Sequence, residues 1–272
     1  MKNTIIVTTD FSDSAKNVLN YACEFALSMN AKILLTHVYN IPAGFSFDGI
    51  GLGGVDESII AEQGMLNDEY ARVAQAFPGL EIEKAMQTGT LKAVLKQLND
   101  ELKPLLIIVG AIGGYSDFML WKDEWLEALT EIVCPLLVVP VNLNFKPIRK
   151  IGLACDFKKD YSARQKDAIL RLAENKNASL HIIHITKSVA DIDEVKKKQV
   201  MLSLDKVNPE CHIVQNQNTI EAVSSFVKEN DIDLLIVVPR KHGVIYNLLN
   251  RSNTKQMARM EDIPVLAINE DY

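Results

Sequence analysis

Short, almost unbroken apolar runs alternate along the chain with longer segments in which apolar residues recur every three or four positions. The runs are Lys2–Phe11, Ile33–Tyr39, Leu105–Gly110 and Cys134–Pro140, and then Arg149–Phe157, Leu180–Thr186, Leu234–Pro239 and Ile263–Ile268. They are rich in Ile, Val and Leu and barely alternate with polar residues, which marks strands covered on both faces and hence a parallel sheet. Between them, Ser12–Met29 carries Ala15, Val18, Leu19, Ala22 and Ala26 at helical spacing, with Ser12 or Asp13 placed to cap it. Thr90–Leu102 and Thr219–Asn230 repeat that pattern, and Phe118–Ile132 and Asn253–Met260 precede the last run of each series. Trp121, Trp125 and Leu129 form a packing stripe on the first of these two.

The second series of runs copies the first. Asp10-Phe11 and Asp156-Phe157 are 146 apart, and His37 and His184 are 147 apart. The offset falls to 129 at Gly110/Pro239 and Pro135/Pro264, so the second copy is shorter by about 18 residues between its second and fourth runs. Each copy reads β-α-β-α-β-α-β-α-β, and right-handed crossovers make that a doubly wound α/β layer. The expected fold class is therefore α/β, with two tandem doubly wound five-stranded parallel-sheet domains, 1–144 and 145–272, and one sheet in each.

Composition narrows the class. A chain of 272 residues has room for about two domains. With 48% apolar and 24% charged residues it has the balance of a globular protein, not of a disordered or collagen-like one. No apolar run approaches the ~20 residues of a membrane helix, and the first residues lack the apolar core of a signal peptide, so a cytoplasmic location is expected. A net charge of −6 argues against general attraction to nucleic acid or to a membrane surface. Cys23, Cys134, Cys155 and Cys211 form no C-x-x-C pair and read as buried small hydrophobes in a reducing compartment. The five histidines show no metal-ligand spacing; His181 and His184, three apart on a strand, point to opposite faces. No metal is expected.

In open α/β sheets ligands sit beyond the carboxyl ends of the strands, which directs attention to the residues after the first, second and fourth runs. Asp10 and Asp156 each follow a strand and precede a helix; each can cap that helix or accept hydrogen bonds from a ribose hydroxyl or an adenine amino group, and both readings stand. After the fourth run, copy one continues Gly110-Ala-Ile-Gly113-Gly114, where glycines let backbone N–H groups approach a phosphate or form an ordinary loop. Copy two has Pro239-Arg240-Lys241-His242-Gly243 at that place. Proline has no N–H to give, so Arg240, Lys241 and, further on, Arg251 are candidates for anion binding as point charges, against a solvated-surface alternative. Gly49-Ile-Gly51-Leu-Gly53-Gly54 matches G-x-G-x-x-G but has no strand before it and no helix after it, so it reads as a flexible loop. Phe45 and Phe47 there could serve as a docking segment or a lid. There is no G-x-x-x-x-G-K-[ST] and no G-x-S-x-G, and no carboxylate pair or Ser/His/Asp set can be placed at the strand ends. An enzyme is not expected, with weak ATP hydrolysis left open.

The stretches IIVTTDFSDSAKNVLNYACEFA, LLTHVY, TGTLKAVLKQL, LLIIVGAIGG and CPLLVVPV, followed by KIGLACDF, LHIIHIT, DLLIVVPRKHG and IPVLAI, resemble the universal stress protein family along the whole chain, as a tandem pair. The resemblance implies a Rossmann-like fold of the adenine nucleotide alpha hydrolase type and a role in the stress response. It implies ATP or another adenine nucleotide as ligand in the branch that binds one. Thr8 and Asp10 would then meet ribose or adenine, the Val38 backbone would meet adenine, and Gly110 and Gly113 would form the G-x-x-G of the phosphate loop. The family's following Gly-Ser or Gly-Thr pair falls at Lys122-Asp123 in copy one, where Asp123 and Glu124 would repel a triphosphate, and at Arg251-Ser252 in copy two, which keeps Ser252. Each copy thus lacks part of the cradle, and the implied function is ligand sensing or protein interaction through degenerate clefts; the alternative is an ATP or adenine-nucleotide binder with little or no hydrolysis. Family members pair through the last strand, so Leu136–Val141 and Val265–Asn269 are expected to meet within one chain as a pseudo-dimer. Association of two such chains into a homodimer is left open, and protein partners are unspecified.

Overall fold

The apolar runs of each copy form strands in the order that the repeat predicts. The computed structural model describes residues 3–39, 52–111, 132–158, 160–238, 263–269 and 271–272, with backbone alone at 52–56, 111 and 220. Copy one has β1 (Thr4–Thr9), α1 (Asp13–Ser28), β2 (Lys32–Tyr39), α2 (Leu52–Ala76), β3 (Ile82–Thr88), α3 (Leu91–Leu102), β4 (Leu106–Ala111) and β5 (Leu136–Pro140). Copy two has β6 (Lys150–Ala154), α4 (Ala163–Lys176), β7 (Ser179–Thr186), α5 (Glu194–Ser203), β8 (Glu210–Gln215), α6 (Thr219–Glu229), β9 (Leu234–Val237) and β10 (Val265–Ala267).

The strand order is β3-β2-β1-β4-β5-β10-β9-β6-β7-β8. Each half is parallel throughout, and the order in the second half mirrors that in the first. The halves join where β10 runs antiparallel to β5, with Leu266 opposite Leu137 and Ala267 opposite Leu136. The last strands thus meet as expected, but the expectation of two sheets is corrected: there is one sheet of ten strands. The reason lies in the edges. β5 and β10 each end a parallel half with a row of unpaired N–H and C=O groups, and buried backbone groups must pair.

The cores are shared in the same way. One apolar layer runs from Val7, Leu19 and Leu35 through Val139 and Leu266 to Leu153 and Ile182. The layer on the other face runs from Ile6, Leu95 and Val109 through Leu136 and Ala267 to Phe226 and Leu235. Polar contacts also cross the junction: Asn269 Nδ2 donates to Ile132 O at 3.4 Å, and the Lys176 ammonium donates to the Ser28 hydroxyl and lies 5.0 Å from the centre of the Phe25 ring.

Helix starts follow local side-chain chemistry. Ser12 Oγ accepts from Ala15 N at 3.1 Å, and Ser162 and Gln165 form a reciprocal capping box on α4. α2 begins earlier than the glycines suggested: Leu52, Gly53, Gly54 and Val55 are helical, so that end of the Gly-rich stretch is not a loop. Leu66 and Val73, seven apart and fully buried, supply the apolar stripe that holds α2 to the sheet. Against it, a glycine in a first helical turn costs only about 1 kcal/mol. The rest of that stretch, with Phe45 and Phe47, lies outside the described residues, as do Trp121, Trp125 and Leu129.

Candidate functional site

At the carboxyl end of β1 the chain makes a tight turn whose parts are duplicated after β6. Phe11 and Phe157 both adopt the left-handed conformation, with φ of 66° and 51°. Such a bulky residue at positive φ is an outlier that costs of order 1–3 kcal/mol. In each copy the phenyl ring lies against the histidine of the second strand: Phe11 on His37 at 4.3 Å and Phe157 on His184 at 4.7 Å between ring centres. Each histidine donates through Nδ1 to a carbonyl at the carboxyl end of the first strand, His37 to Thr9, the last residue of β1, at 2.8 Å and His184 to Cys155, the residue after β6, at 2.9 Å. The Phe N–H is held by the side chain two residues back, Thr9 Oγ1 at 3.1 Å in copy one and Cys155 Sγ at 3.5 Å in copy two. The turn is therefore over-determined. In copy one it is further tied to α2, because His37 Nε2 stands 2.6 Å from Glu62 Oε2.

The turn presents the aspartates. Asp10 is exposed, and its Oδ1 accepts from Ser12 N at 3.0 Å and from Ser12 Oγ at 2.6 Å, which leaves Oδ2 for another partner. Asp156 is partly buried and accepts from Lys158 N at 3.1 Å. Neither is the helix cap; those places belong to Ser12 and Ser162. The left-handed phenylalanine puts the carboxylate outside the helix and turns it back onto the residue two further on.

Beside this turn, Thr8 and Thr36 are in register on β1 and β2. By strand alternation they share a face with Ile6, Leu34 and Val38. Thr8 and Val38 are partly buried. Thr36 is fully buried, and its hydroxyl has no hydrogen-bond partner among the described residues. Leaving such a group unpaired costs about 1–3 kcal/mol. The repeat puts Ala154, Ile183 and Ile185 at the corresponding places of copy two, where Ala154 pairs with Ile183. The polar floor belongs to copy one alone.

Residues 1–140 match the model of the universal stress protein family. The chain belongs to that family. A curated relative, the universal stress protein Slr1230 of Synechocystis sp., is 26% identical and aligns over 98% of this chain and 99% of its own length. Among solved structures, a universal stress protein from Archaeoglobus fulgidus superposes with a TM-score of 0.72 at 18% identity, covering 98% of this chain and 96% of that one. A putative universal stress protein from Pseudomonas aeruginosa gives 0.58 at 14% identity, covering 99% and 94%. At those identities the likeness is one of fold. Family membership makes this universal stress protein a stress-response protein, and no helix among the described residues is long and apolar enough to cross a membrane.

The remaining candidates fall into two groups. Gly110 lies inside β4, paired with Val139, and a Cβ there would stand 3.0 Å from Val18 Cγ2. Its lack of a side chain lets α1 pack closely on the sheet, which is a reason for glycine independent of phosphate. Gly113, Gly114, Arg240, Lys241, Arg251 and Ser252 lie outside the described residues. Cys23, Cys134 and Cys155 are buried, with burial pushing the Cys134 thiol up to about 12, whereas Cys211 is only partly buried. One grouping was missed by sequence spacing. His181, Glu210 and His212 converge at β7 and β8, which corrects the expectation that no histidines assemble. His184 points to the other face, as its spacing from His181 requires.

Proposed function

We propose that this universal stress protein senses a small ligand in the cleft of its first copy and does not turn it over, and that the ligand is an adenine nucleotide or a close relative. The observation that carries the proposal is the Thr36 hydroxyl, buried without a partner on the face that also holds Thr8 and Val38. A fold that tolerates such a group gains most from a ligand that offers it a hydrogen bond. Asp10, pre-oriented by Ser12, is suited to a ribose hydroxyl or an adenine amino group, and the Val38 backbone is suited to the base. Gly110, Gly113 and Gly114 would take the phosphate end. In copy two, where the threonines are replaced by Ala154 and Ile183, Asp156 keeps its place but lacks the polar floor. Arg240, Lys241, Arg251 and Ser252 would there hold an anion through charge. The protein's expected place is the cytoplasm, as a pseudo-dimer.

The test is to denature the freshly purified protein, chromatograph the released small molecules, and follow thermal unfolding of the ligand-free protein against ATP and adenosine. A ligand at 100 times its Kd stabilises the native state by ~2.7 kcal/mol. Adenine nucleotide in the supernatant, or a saturable rise in Tm, is the expected result. The lack of both results, up to millimolar ATP, would overturn the proposal. ATP consumption with turnover would overturn its second half.

A further inference from the structure

At the amino ends of β7 and β8, away from both clefts, the sheet gathers three ligating side chains. His181 and Glu210 are register partners across the two parallel strands, and His212, two residues beyond Glu210, faces the same side. His181 Nδ1 lies 3.1 Å from His212 Nε2. Glu210 Oε2 is 3.6 Å from the first nitrogen and 3.7 Å from the second. We propose that His181, Glu210 and His212 form a binding site for a divalent transition-metal ion, with Zn2+ the ion whose bond lengths fit.

Three observations support it. First, a point equidistant from the three atoms lies about 2.0 Å from each, given their separations; Zn–N and Zn–O bonds are about 2.0–2.2 Å. The set resembles an open site of three protein ligands, with Glu210 on the exposed side leaving a position for water.

Second, the tautomer is favourable. Ser179 Oγ donates to Arg149 O at 3.4 Å and stands 2.9 Å from His181 Nε2. In the tautomer with hydrogen on Nε2, Ser179 Oγ accepts from the ring and Nδ1 presents a lone pair to the cluster. Anchoring of the remote nitrogen is what holds a metal-binding imidazole in place. Lys150 is directed away, its ammonium donating to Asn230 O at 2.9 Å, and on the helix side Phe226 of α6 packs on the His212 ring at 4.9 Å.

Third, the fold does not need these residues. In copy one the same register positions are Leu34 opposite Glu83, with Ala85 two beyond, and the apolar pair packs in the core layer. The carboxylate is common to both copies, as Glu83 and Glu210; the two imidazoles in place of Leu34 and Ala85 are peculiar to copy two.

The experiment is calorimetric titration of chelator-treated full-length protein with Zn2+ at pH 7, in the wild type, His212→Ala and Glu210→Gln, alongside imidazole 15N spectra. Glu210 is exposed, so Glu210→Gln keeps the fold even if His212→Ala does not. The expected result is one ion at this site, a loss of about 100-fold in affinity for His212→Ala and about tenfold for Glu210→Gln, and coordination shifts at His181 Nδ1 and His212 Nε2. Zn2+ binding that is absent in the wild type, equally tight in either variant, or marked by shifts at other histidines would overturn the site.

Discussion

Thr36→Val is the perturbation that tests the cleft most sharply without touching its rim. It replaces a hydroxyl by a methyl of nearly the same shape inside a fully buried strand. In most cores that change removes a hydrogen bond and destabilises. Here the hydroxyl has no partner among the described residues, so the variant sheds an unpaired buried group worth about 1–3 kcal/mol. Valine is also as well suited to a strand as threonine. The ligand-free protein is therefore expected to become more stable by about 1–3 kcal/mol, or roughly 2–6 °C in Tm for a chain of this length. The ligand-induced shift should move in the opposite direction. Loss of one hydrogen bond to the nucleotide removes ~0.5–1.5 kcal/mol, about a two- to tenfold rise in Kd. Differential scanning calorimetry with and without saturating ATP reads both quantities from one pair of scans. A variant less stable than the wild type when ligand-free, with an unchanged ATP shift, would refute the reasoning, because it would mean that the hydroxyl already has its partner within the fold.

Other expectations rest on separate parts of the molecule. Leu266→Ala, at the antiparallel junction, should cost ~2–5 kcal/mol and lower a single unfolding transition common to both copies, since both core layers cross the junction; two resolved calorimetric transitions would contradict the shared core. Gly110→Ala should cost ~1–3 kcal/mol in urea unfolding through the 3.0 Å approach to Val18, and Val18→Ala in the same chain should recover much of it if packing, not phosphate, is the reason for the glycine. The His181 imidazole titrates lower in the folded protein than in the unfolded chain, chiefly through burial. As pH falls below ~6.5 the unfolded state takes up the proton first, so stability declines through that window. His181→Gln should flatten the pH profile of Tm between pH 7 and 5, and an unchanged profile would contradict it.

What could be read ahead of the structure was what local chemistry decides. Unalternated runs such as Leu105–Gly110 could only be strands covered on both sides, and Ser12 could be named as a cap because the helical spacing starts just after it. The paired Asp-Phe and the paired histidines showed the duplication, yet not its cause: the left-handed Phe11 and Phe157 lean on His37 and His184, which are distant in sequence. The third strand of each copy was expected from the repeat but not assigned to residues, because edge strands such as Glu210–Gln215 mix polar and apolar residues. Register decided what else was hidden. Nothing in the spacing of His181 and His212 shows that β7 and β8 set them side by side, and an unpaired hydroxyl such as that of Thr36 is a property of its surroundings, not of its own residue type. The single sheet depended on which edge each copy leaves open, and periodicity carries no information about that.

The central claim is that the first copy holds the ligand cleft and the second does not hold its equal. Calorimetric titration of ATP into the wild type, Asp10→Ala and Asp156→Ala measures it directly. Removing the pre-oriented Asp10 carboxylate should weaken binding by about tenfold or more, the worth of a hydrogen bond to a charged group, while Asp156→Ala should stay within about twofold of the wild type. Equal losses in the two variants, or a larger loss for Asp156→Ala, would contradict it.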